Sequence, residues 1–262
     1  DYGFVPSIEE LGFKKQNLPD FLYKDAKDIL KEFTKEIDDY KTNRDYFNLE
    51  ATSKISVHLR FGLISPKEVF NYFKSWKDVD SSFFIRELFW REFYSYTLFH
   101  FPHSEFKNYN NIKLEFNENE EDFQNWCDGK TGVPIIDAAM IHLNKTGMMH
   151  NRSRMIVASF LTKNLFINWK KGEQYFAKKL LDYEASSNIG SWQWSASTGA
   201  DASPYFRVFN PYIQSKKFDK DCVFIKEIMP ELKSLDSKLF HIENGVQSNL
   251  FVNYPKSIVD IK

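Results

Sequence analysis

The chain has 262 residues, and its 35 Lys and Arg residues nearly balance its 36 Asp and Glu residues. This balance excludes a polycation that binds nucleic acid through net charge alone, and no run approaches the roughly 18 consecutive apolar residues that a membrane-spanning helix needs. Aromatic residues make up 17% of the chain, which excludes a disordered protein and predicts a sizeable core.

The first predicted helices differ in the strength of their start signals. From Phe21 to Tyr40, apolar residues recur every three or four positions, which is typical of a helix, and Asp20 is placed as its N-cap. A sharper signal is Ser65-Pro66-Lys67-Glu68, which combines a capping box with a proline at the first helical position. It predicts a helix that runs to about Trp76.

Apolar periodicity predicts five further helices, over Ser81–Phe101, Pro134–Lys145, Arg152–Asn164, Trp169–Leu181 and 223–235. Gly147 fits the end of the second of these helices, and Asn151 is placed to cap the third. The polar segments 103–122 and 186–220 show no period, so we expect both to be irregular and the second to be a functional loop.

Cysteine content and missing motifs limit the chemistry. Two cysteines argue against a disulfide framework or a zinc site, and the six histidines do not pair at metal-ligand spacing, so we expect no bound metal. Signatures of Rossmann domains, P-loops and zinc hydrolases are absent, as is a signal-peptide pattern, which favours a cytoplasmic protein away from the membrane. Without alternating strand patterns, we expect an all-α fold with a lead-in over residues 1–20 and one helical domain over 21–262.

Four groups of polar and aromatic residues are candidates for a binding site: Thr52–Ser56, the set Glu87, Trp90, Arg91 and Tyr94, the segment His150–Met155, and the run Asp182–Arg207. The hydroxyls of the first group suit an anion, although a plain capping segment is the simpler explanation. The second group shares one helical face. Its alternative is a half-buried surface that carries an intrahelical Glu87–Arg91 pair.

The segment His150–Met155 contributes two cations, and the run Asp182–Arg207 contributes two indole rings. Arg152 and Arg154 point to different sides of a helix start, which allows one to contact a cofactor and the other a polyanion such as DNA. Cations in a first turn oppose the helix dipole, which favours function over a solvated basic turn. Trp192 and Trp194 flank a glutamine in a polar segment and suit ring stacking, and the alternative is a loop pinned by two core tryptophans.

Several long motifs then resemble one known family. The runs TGVPIIDAAMIHLNKTGMMHNRSRMIVASFL, INWKKGEQYF and SNIGSWQWSASTGADASPYFRVFNP, preceded in order by TSKIS and IRELFWREFY, resemble the FAD-binding helical domain of the photolyase/cryptochrome family. The resemblance implies an all-α, multi-helical domain most similar to class I cyclobutane pyrimidine dimer photolyases. It also implies that the family's N-terminal α/β antenna domain is missing, so an antenna chromophore has no place on this chain.

The resemblance further implies FAD as cofactor, with fully reduced FADH⁻ as the working form. The residues that match the family's FAD-binding positions are Tyr40, Thr52, Ser53, Lys54, Ile55, Ser56, Arg91, Asn151, Arg154, Asp182, Tyr183, Glu184 and Asn188. Asn188 matches the residue that faces flavin N5. Glu184 departs from the family, which usually has Asp at that position, and it keeps the acceptor while adding one methylene group.

UV-damaged DNA is the implied partner of a monomeric protein. The residues that match the lesion-binding and DNA-binding positions are Glu87, Trp90, Asn151, Arg152, Met155, Trp194 and Gln214. Two rings would line the pocket of a flipped-out dimer, Glu87 would meet base edges as a catalytic group, and Arg152 would hold phosphates. Relatives that repair (6-4) photoproducts would show His at positions 151 and 155.

The implied reaction is light-driven electron transfer from reduced FAD that splits the dimer. Trp192 and Trp169 match the inner residues of the family's electron-transfer chain, whereas the surface position is Phe116, and Trp126 and Tyr109 are the alternative terminal donors. Two other functions stay open. One is a cryptochrome-type photoreceptor without repair activity, although that branch usually places Asp or Cys at position 188. The other is a flavin-free helical DNA-binding module.

Overall fold

The computed structural model describes residues 5–15, 18–76, 79–112, 114–205, 207–249 and 252–261. Throughout these ranges the regular structure is helical, without a β-strand, which confirms the predicted all-α fold. No helix in the described ranges combines the length and apolarity needed to cross a membrane. Residues 1–4 and 16–17 of the predicted lead-in lie outside the description.

Twelve α-helices occur in the described part of the chain. They are α1 (Ala26–Phe33), α2 (Tyr40–Asn43), α3 (Ser56–Arg60), α4 (Pro66–Lys74), α5 (Ser82–His100), α6 (Glu120–Asp128), α7 (Pro134–Thr146), α8 (Asn151–Ser159), α9 (Trp169–Lys179), α10 (Ala185–Ala196), α11 (Pro211–Phe218) and α12 (Val223–Ile228). A π-helical segment, Phe160–Asn164, continues α8, and short 3-10 turns lie between other helices.

Local start and stop signals are confirmed where they were strongest. The Ser65 side chain accepts a hydrogen bond from the Glu68 amide, and the Glu68 carboxylate accepts one from the Ser65 amide, so the predicted capping box is complete. Gly147 ends α7 with φ +70°. A Cβ at that position would lie 2.7 Å from Leu181, so the sharp stop needs glycine for both backbone and space.

Two predicted helix starts are wrong by a few residues. Asp20 begins a 3-10 turn, and the first α-helix starts at Ala26, where the Asp25 carboxylate accepts a hydrogen bond from the Lys27 amide. This helix ends at Phe33 rather than at Tyr40. Likewise, the cap of α8 is His150, whose ring accepts from the Arg152 amide, and Asn151 is the first helical residue.

The expectation of an irregular segment over 186–220 is wrong, because α10 and α11 lie within it. Ser, Asn and Gly are weak helix formers, which hides α10 from a periodicity argument. Its start is fixed by Glu184, whose carboxylate accepts from the amides and hydroxyls of Ser186 and Ser187 at 2.6–3.1 Å. The expectation of an irregular segment over 103–122 is wrong at its end, because α6 begins at Glu120, and this helix was not predicted.

Two separate apolar cores position the candidate residues. The smaller core joins α1, α3 and α4 to the start of α5 around Phe73 and Phe84. The larger core is built around α7 to α10, and Leu98 near the end of α5 packs against it. The middle of α5 therefore lies between the two cores, and α10 packs against α5, α8 and α9.

A buried carboxylate holds the C-terminal segment against the start of α7. Asp137 is fully buried and accepts hydrogen bonds from the amide and hydroxyl of Thr131 at 2.7 and 2.6 Å, from the Gly132 amide at 3.1 Å and from the Tyr254 hydroxyl. Burial raises the pKa of Asp137 to about 6, although the four donors act in the opposite direction. The side chain thus ties three segments together.

We predict that Asp137→Asn destabilises the fold by about 2–3 kcal/mol, because an amide NH₂ would face donors in place of one carboxylate oxygen. Urea unfolding at pH 7 measures the change. Asp128→Asn, at the half-exposed end of α6, is the matched control and should shift stability by less than about 0.5 kcal/mol. Equal stability of the two variants would contradict the role given to Asp137.

Candidate functional site

The candidate face of α5 is tied to α2 by an ion pair that the sequence did not predict. Glu87 pairs with Arg44 at 2.6 Å, and its carboxylate lies 3.9 Å from Arg86. The intrahelical Glu87–Arg91 pair of the alternative interpretation does not form, and Arg91 is a half-buried cation without an ion pair in the described ranges. The Arg44 guanidinium also lies 5.0 Å from the centre of the Tyr40 ring.

The same α5 face meets α10 two turns further on, at Tyr94. Trp90 is 37% exposed and packs against Tyr94, with ring centres 6.1 Å apart. Tyr94 lies directly against Gly190 of α10, where a Cβ would come within 2.1 Å of the ring. Burial raises the pKa of the Tyr94 hydroxyl to about 12. Glycine at position 190 therefore permits the close approach of the two helices.

Arg152 and Arg154 of α8 point to different sides, as predicted. Arg154 donates two hydrogen bonds to the Asp182 carboxylate, at 2.8 and 3.0 Å. Arg152 forms an ion pair with Asp45, and its guanidinium lies 4.5 Å from the centre of the Phe218 ring. The candidate phosphate ligand Arg152 is thus already bound to a carboxylate and half-buried.

The Asn188 side chain has a fixed orientation. Its Nδ2 donates to the Glu173 carboxylate at 3.1 Å and lies 3.3 Å from the Glu173 backbone carbonyl oxygen. The Tyr183 hydroxyl donates to the same carboxylate at 3.1 Å, and burial raises the pKa of Tyr183 to about 12. Two candidate cofactor residues are therefore joined through Glu173, which is buried.

Glu184, the residue that departs from the family pattern, is engaged in capping α10. Burial acts to raise its pKa, but hydrogen bonds from Ser187 and Ser186 outweigh burial and lower the pKa of Glu184 below its ordinary value. A charged carboxylate at a helix start is also favoured by the helix dipole.

The two candidate electron-transfer residues are core residues. Trp192 and Trp169 are 2% and 1% exposed, and the Trp169 Nε1 donates to Asn108 at 2.9 Å. Trp126 is fully buried with its ring centre 6.0 Å from that of Trp192. Phe116 is half-buried and lines an open groove together with Asn168, next to the start of α9.

The candidate DNA-binding residues on α8, α10 and α11 range from exposed to half-buried. Asn151 is exposed, and its Nδ2 lies 3.8 Å from the half-buried Met155 sulfur. Trp194 is half-buried with its ring centre 6.2 Å from Phe209. Gln214 on α11 has a buried Oε1 without a hydrogen-bond partner in the described structure.

The segment Thr52–Ser56 contributes one residue, Ile55, to the smaller core. Ile55 and Tyr40 are both buried in that core, so Ile55 can offer a ligand only its backbone. Lys54 has φ +54° and pairs with Glu50. Thr52, Ser53 and Ser56 are half-buried. No hydrogen bond or ion pair joins the described side chains of this segment to Arg91 or to α10.

Sequence reasoning missed Arg44, Asp45 and Glu173, each of which holds a candidate residue in place. No local pattern identifies these three, because their partners are between 15 and 107 positions away along the chain. Within the described part of the chain, no cluster of His, Cys, Asp and Glu is arranged to hold a metal ion.

Comparison with known proteins places this arrangement in a family. Residues 84–262 match the family model described as the FAD binding domain of DNA photolyase. The deoxyribodipyrimidine photo-lyase of Vibrio cholerae is 43% identical over 89% of this chain and 52% of its own length, and that of Escherichia coli is 40% identical over 86% and 50%. The chain spans about half the length of these relatives.

Solved structures agree with the sequence relatives. A class III photolyase from Agrobacterium tumefaciens is 41% identical, with a TM-score of 0.82 over 90% of this chain and 52% of that protein. A cryptochrome from Synechocystis is 30% identical, with a TM-score of 0.85 over 98% and 58%. By its family match, its helices and its relatives, the chain belongs to the photolyase/cryptochrome family and carries that family's FAD-binding domain.

Proposed function

We propose that the chain binds FAD and splits cyclobutane pyrimidine dimers in UV-damaged DNA under blue light, as a monomer in the cytoplasm. One observation carries the proposal. The α5 face with Glu87 and Trp90 lies between the two cores, on the helix that packs against α10 with Asn188 and Trp194. A carboxylate, an amide and two accessible rings are the groups that an extruded pyrimidine dimer and a flavin require.

The residues of this chain fit FAD by the chemistry of their donors and acceptors. Arg91 supplies a half-buried cation without an ion pair in the described ranges, which suits a diphosphate. Arg154 with Asp182, together with the Asn188 amide, supplies donors and acceptors for the polar edge of a flavin ring. Reduced FAD would supply the light-driven electron that opens the two C–C bonds of the dimer and is then returned.

Different side chains would contact different parts of the damaged DNA. Trp90 and Trp194 would stack on the flipped-out bases, because their rings are accessible. Glu87 would hydrogen-bond base edges while Arg44 fixes the direction of its carboxylate. Arg152 would meet DNA phosphates while it remains beside Asp45.

A photoreceptor without repair activity is the second candidate function. It is supported by the fold similarity to the cryptochrome from Synechocystis, whose TM-score of 0.85 is close to the 0.82 of the Agrobacterium photolyase. Fold similarity therefore does not discriminate between the two functions. The photo-lyase names of relatives that are 38–43% identical support repair, and the class I assignment remains a prediction, since one similar structure is a class III photolyase.

The proposed function predicts that the purified chain, loaded with FAD and reduced, removes dimers from a dimer-containing oligonucleotide in blue light but not in the dark. Liquid chromatography of the oligonucleotide measures the loss. Equal loss in light and dark would contradict repair. A light-dependent spectral change without dimer loss would favour the photoreceptor, and a chain that stays colourless after FAD addition would exclude both.

Glu87→Gln should lower the affinity for the dimer and the repair yield per absorbed photon by about 10-fold or more, because a hydrogen bond to a charged group is worth about 1.5–3 kcal/mol. Glu92→Gln is the matched control, since Glu92 is exposed on the same helix. The readouts are the dissociation constant in the dark and the quantum yield of repair. Equal values for the two variants would remove Glu87 from the lesion site.

Phe116→Trp should accelerate reduction of oxidised FAD by light in the presence of a thiol, because an indole is oxidised far more easily than a phenyl ring. The position suits an electron-transfer residue, since Asn117 donates to the Phe166 carbonyl at 2.7 Å and so holds this segment beside the start of α9. Phe99→Trp, which adds an exposed indole on α5, is the control. An unchanged rate would mean that electrons enter by another route.

A further inference from the structure

A buried lysine outside the candidate site lacks a carboxylate partner. Lys163 is 7% exposed and lies in the π-helical segment that follows α8. Its Nζ donates to the Ser197 hydroxyl at 2.6 Å and to the Tyr205 carbonyl oxygen at 3.3 Å, and it lies 4.3 Å from the centre of the Tyr205 ring. No Asp or Glu of the described ranges forms an ion pair with it.

Three unfavourable features coincide at this point. Removing an ammonium from water without a counter-charge costs several kcal/mol, and burial lowers the pKa of Lys163 to about 8. A π-helical turn is rare and is found frequently at functional sites. Ser197, which accepts the shorter hydrogen bond, has φ +64°, a backbone conformation that disfavours residues with a Cβ. Several unfavourable features at one point are expected where the placement of a side chain matters more for function than the stability of the fold does.

The lysine joins the two ends of the 197–205 loop, which folds against Trp194. Ser197 is the C-cap of α10, three residues after Trp194, and Tyr205 lies at the other end of the loop. Between them, the Ser203 amide donates to the Trp194 carbonyl at 3.2 Å, and Ser203 is buried. Lys163 is the group that both ends share.

We propose that Lys163 is a positioning residue whose ammonium clamps the 197–205 loop and thereby presets the Trp194 ring for stacking on an extruded pyrimidine dimer. The inference rests on the proposed function, which places Trp194 at the lesion. An apolar side chain of similar volume would avoid the desolvation cost of the charge. It could not hold a hydroxyl and a carbonyl from opposite ends of one loop.

Two variants of the FAD-loaded chain separate positioning from stability. Lys163→Met removes the clamp. Ser197→Gly removes the accepting hydroxyl, and its relief of the left-handed backbone offsets part of the stability lost with that hydrogen bond. Both should weaken binding of a dimer-containing oligonucleotide by about 10-fold, the size of one lost charge-assisted hydrogen bond, with little effect on undamaged DNA. Lys170→Met on α9 is the control, and fluorescence anisotropy in the dark gives the constants.

The pH dependence of the preference for dimer-containing DNA distinguishes a positioning role of Lys163 from a purely structural one. Helices α8, α9 and α10 pack around the π-helical segment, yet Tyr205 is the one described titratable side chain in contact with Lys163. The pKa of Lys163 is lowered from 10.5 to about 8, so the buried charge destabilises the fold below about pH 8, and this cost declines as pH rises. Preference for the dimer should fall over the same range. Lys163→Arg, which stays charged, should not show that fall.

The outcomes are distinct. If the wild-type chain prefers the dimer and the Lys163→Met and Ser197→Gly variants, folded and with full FAD content, prefer it equally, the inference is wrong and the proposed function stands. If both variants weaken damaged and undamaged DNA alike, Lys163 acts on DNA charge generally and the inference is again wrong. A wild-type chain that binds FAD but shows no preference for the dimer would overturn the proposed function together with the inference.

Discussion

The candidate site depends on how closely α10 packs between α5 and α9. Gly190 lies against the Tyr94 ring on one side, and Gly172 of α9 lies against the Trp192 ring on the other, where a Cβ would come within 2.2 Å. The helix is poor in strong helix formers, so its stability comes from these contacts and from the Glu184 cap. Any side chain at either glycine would push α10 outward and displace the groups that it carries. The site is therefore a consequence of packing rather than of local propensity.

Ion pairs between elements then fix the side chains on the neighbouring helices. Helical spacing left a Glu87–Arg91 pair open as an alternative, but Arg44, the residue directly after α2, pairs with Glu87, and Arg91 has no ion pair in the described ranges. The next residue, Asp45, holds Arg152 in the same way. Two consecutive residues thus orient groups on α5 and α8, and a DNA phosphate at Arg152 would have to share the guanidinium with a carboxylate. Sequence spacing cannot give such pairs, because they are set by tertiary contacts between distant positions.

Sequence predicts those elements of the fold that are stabilised by neighbouring residues, and it misses those that are stabilised by distant ones. The capping box of Ser65 and Glu68 and the stop at Gly147 involve neighbours within a few positions, so local reasoning found both. Within 186–220, the polar residues suggested a loop, and the Glu184 cap, a longer acid than the family usually shows, was considered only as a cofactor ligand. Motifs in their order identified the family although the elements around them were partly wrong. The order of motifs along the chain thus identified the family more reliably than local patterns predicted the bounds of its helices.

Repair and photoreception differ in side chains rather than in the backbone fold. A cryptochrome and a photolyase match the described backbone almost equally well, so function must depend on individual side chains. Asn188 is informative because its Nδ2 donates to Glu173, which leaves its carbonyl oxygen as the free end. An aspartate at position 188, as plant cryptochromes usually have, would place a second carboxylate about 3 Å from Glu173, where one of the two would have to hold a proton. Glu173 therefore favours the amide at position 188.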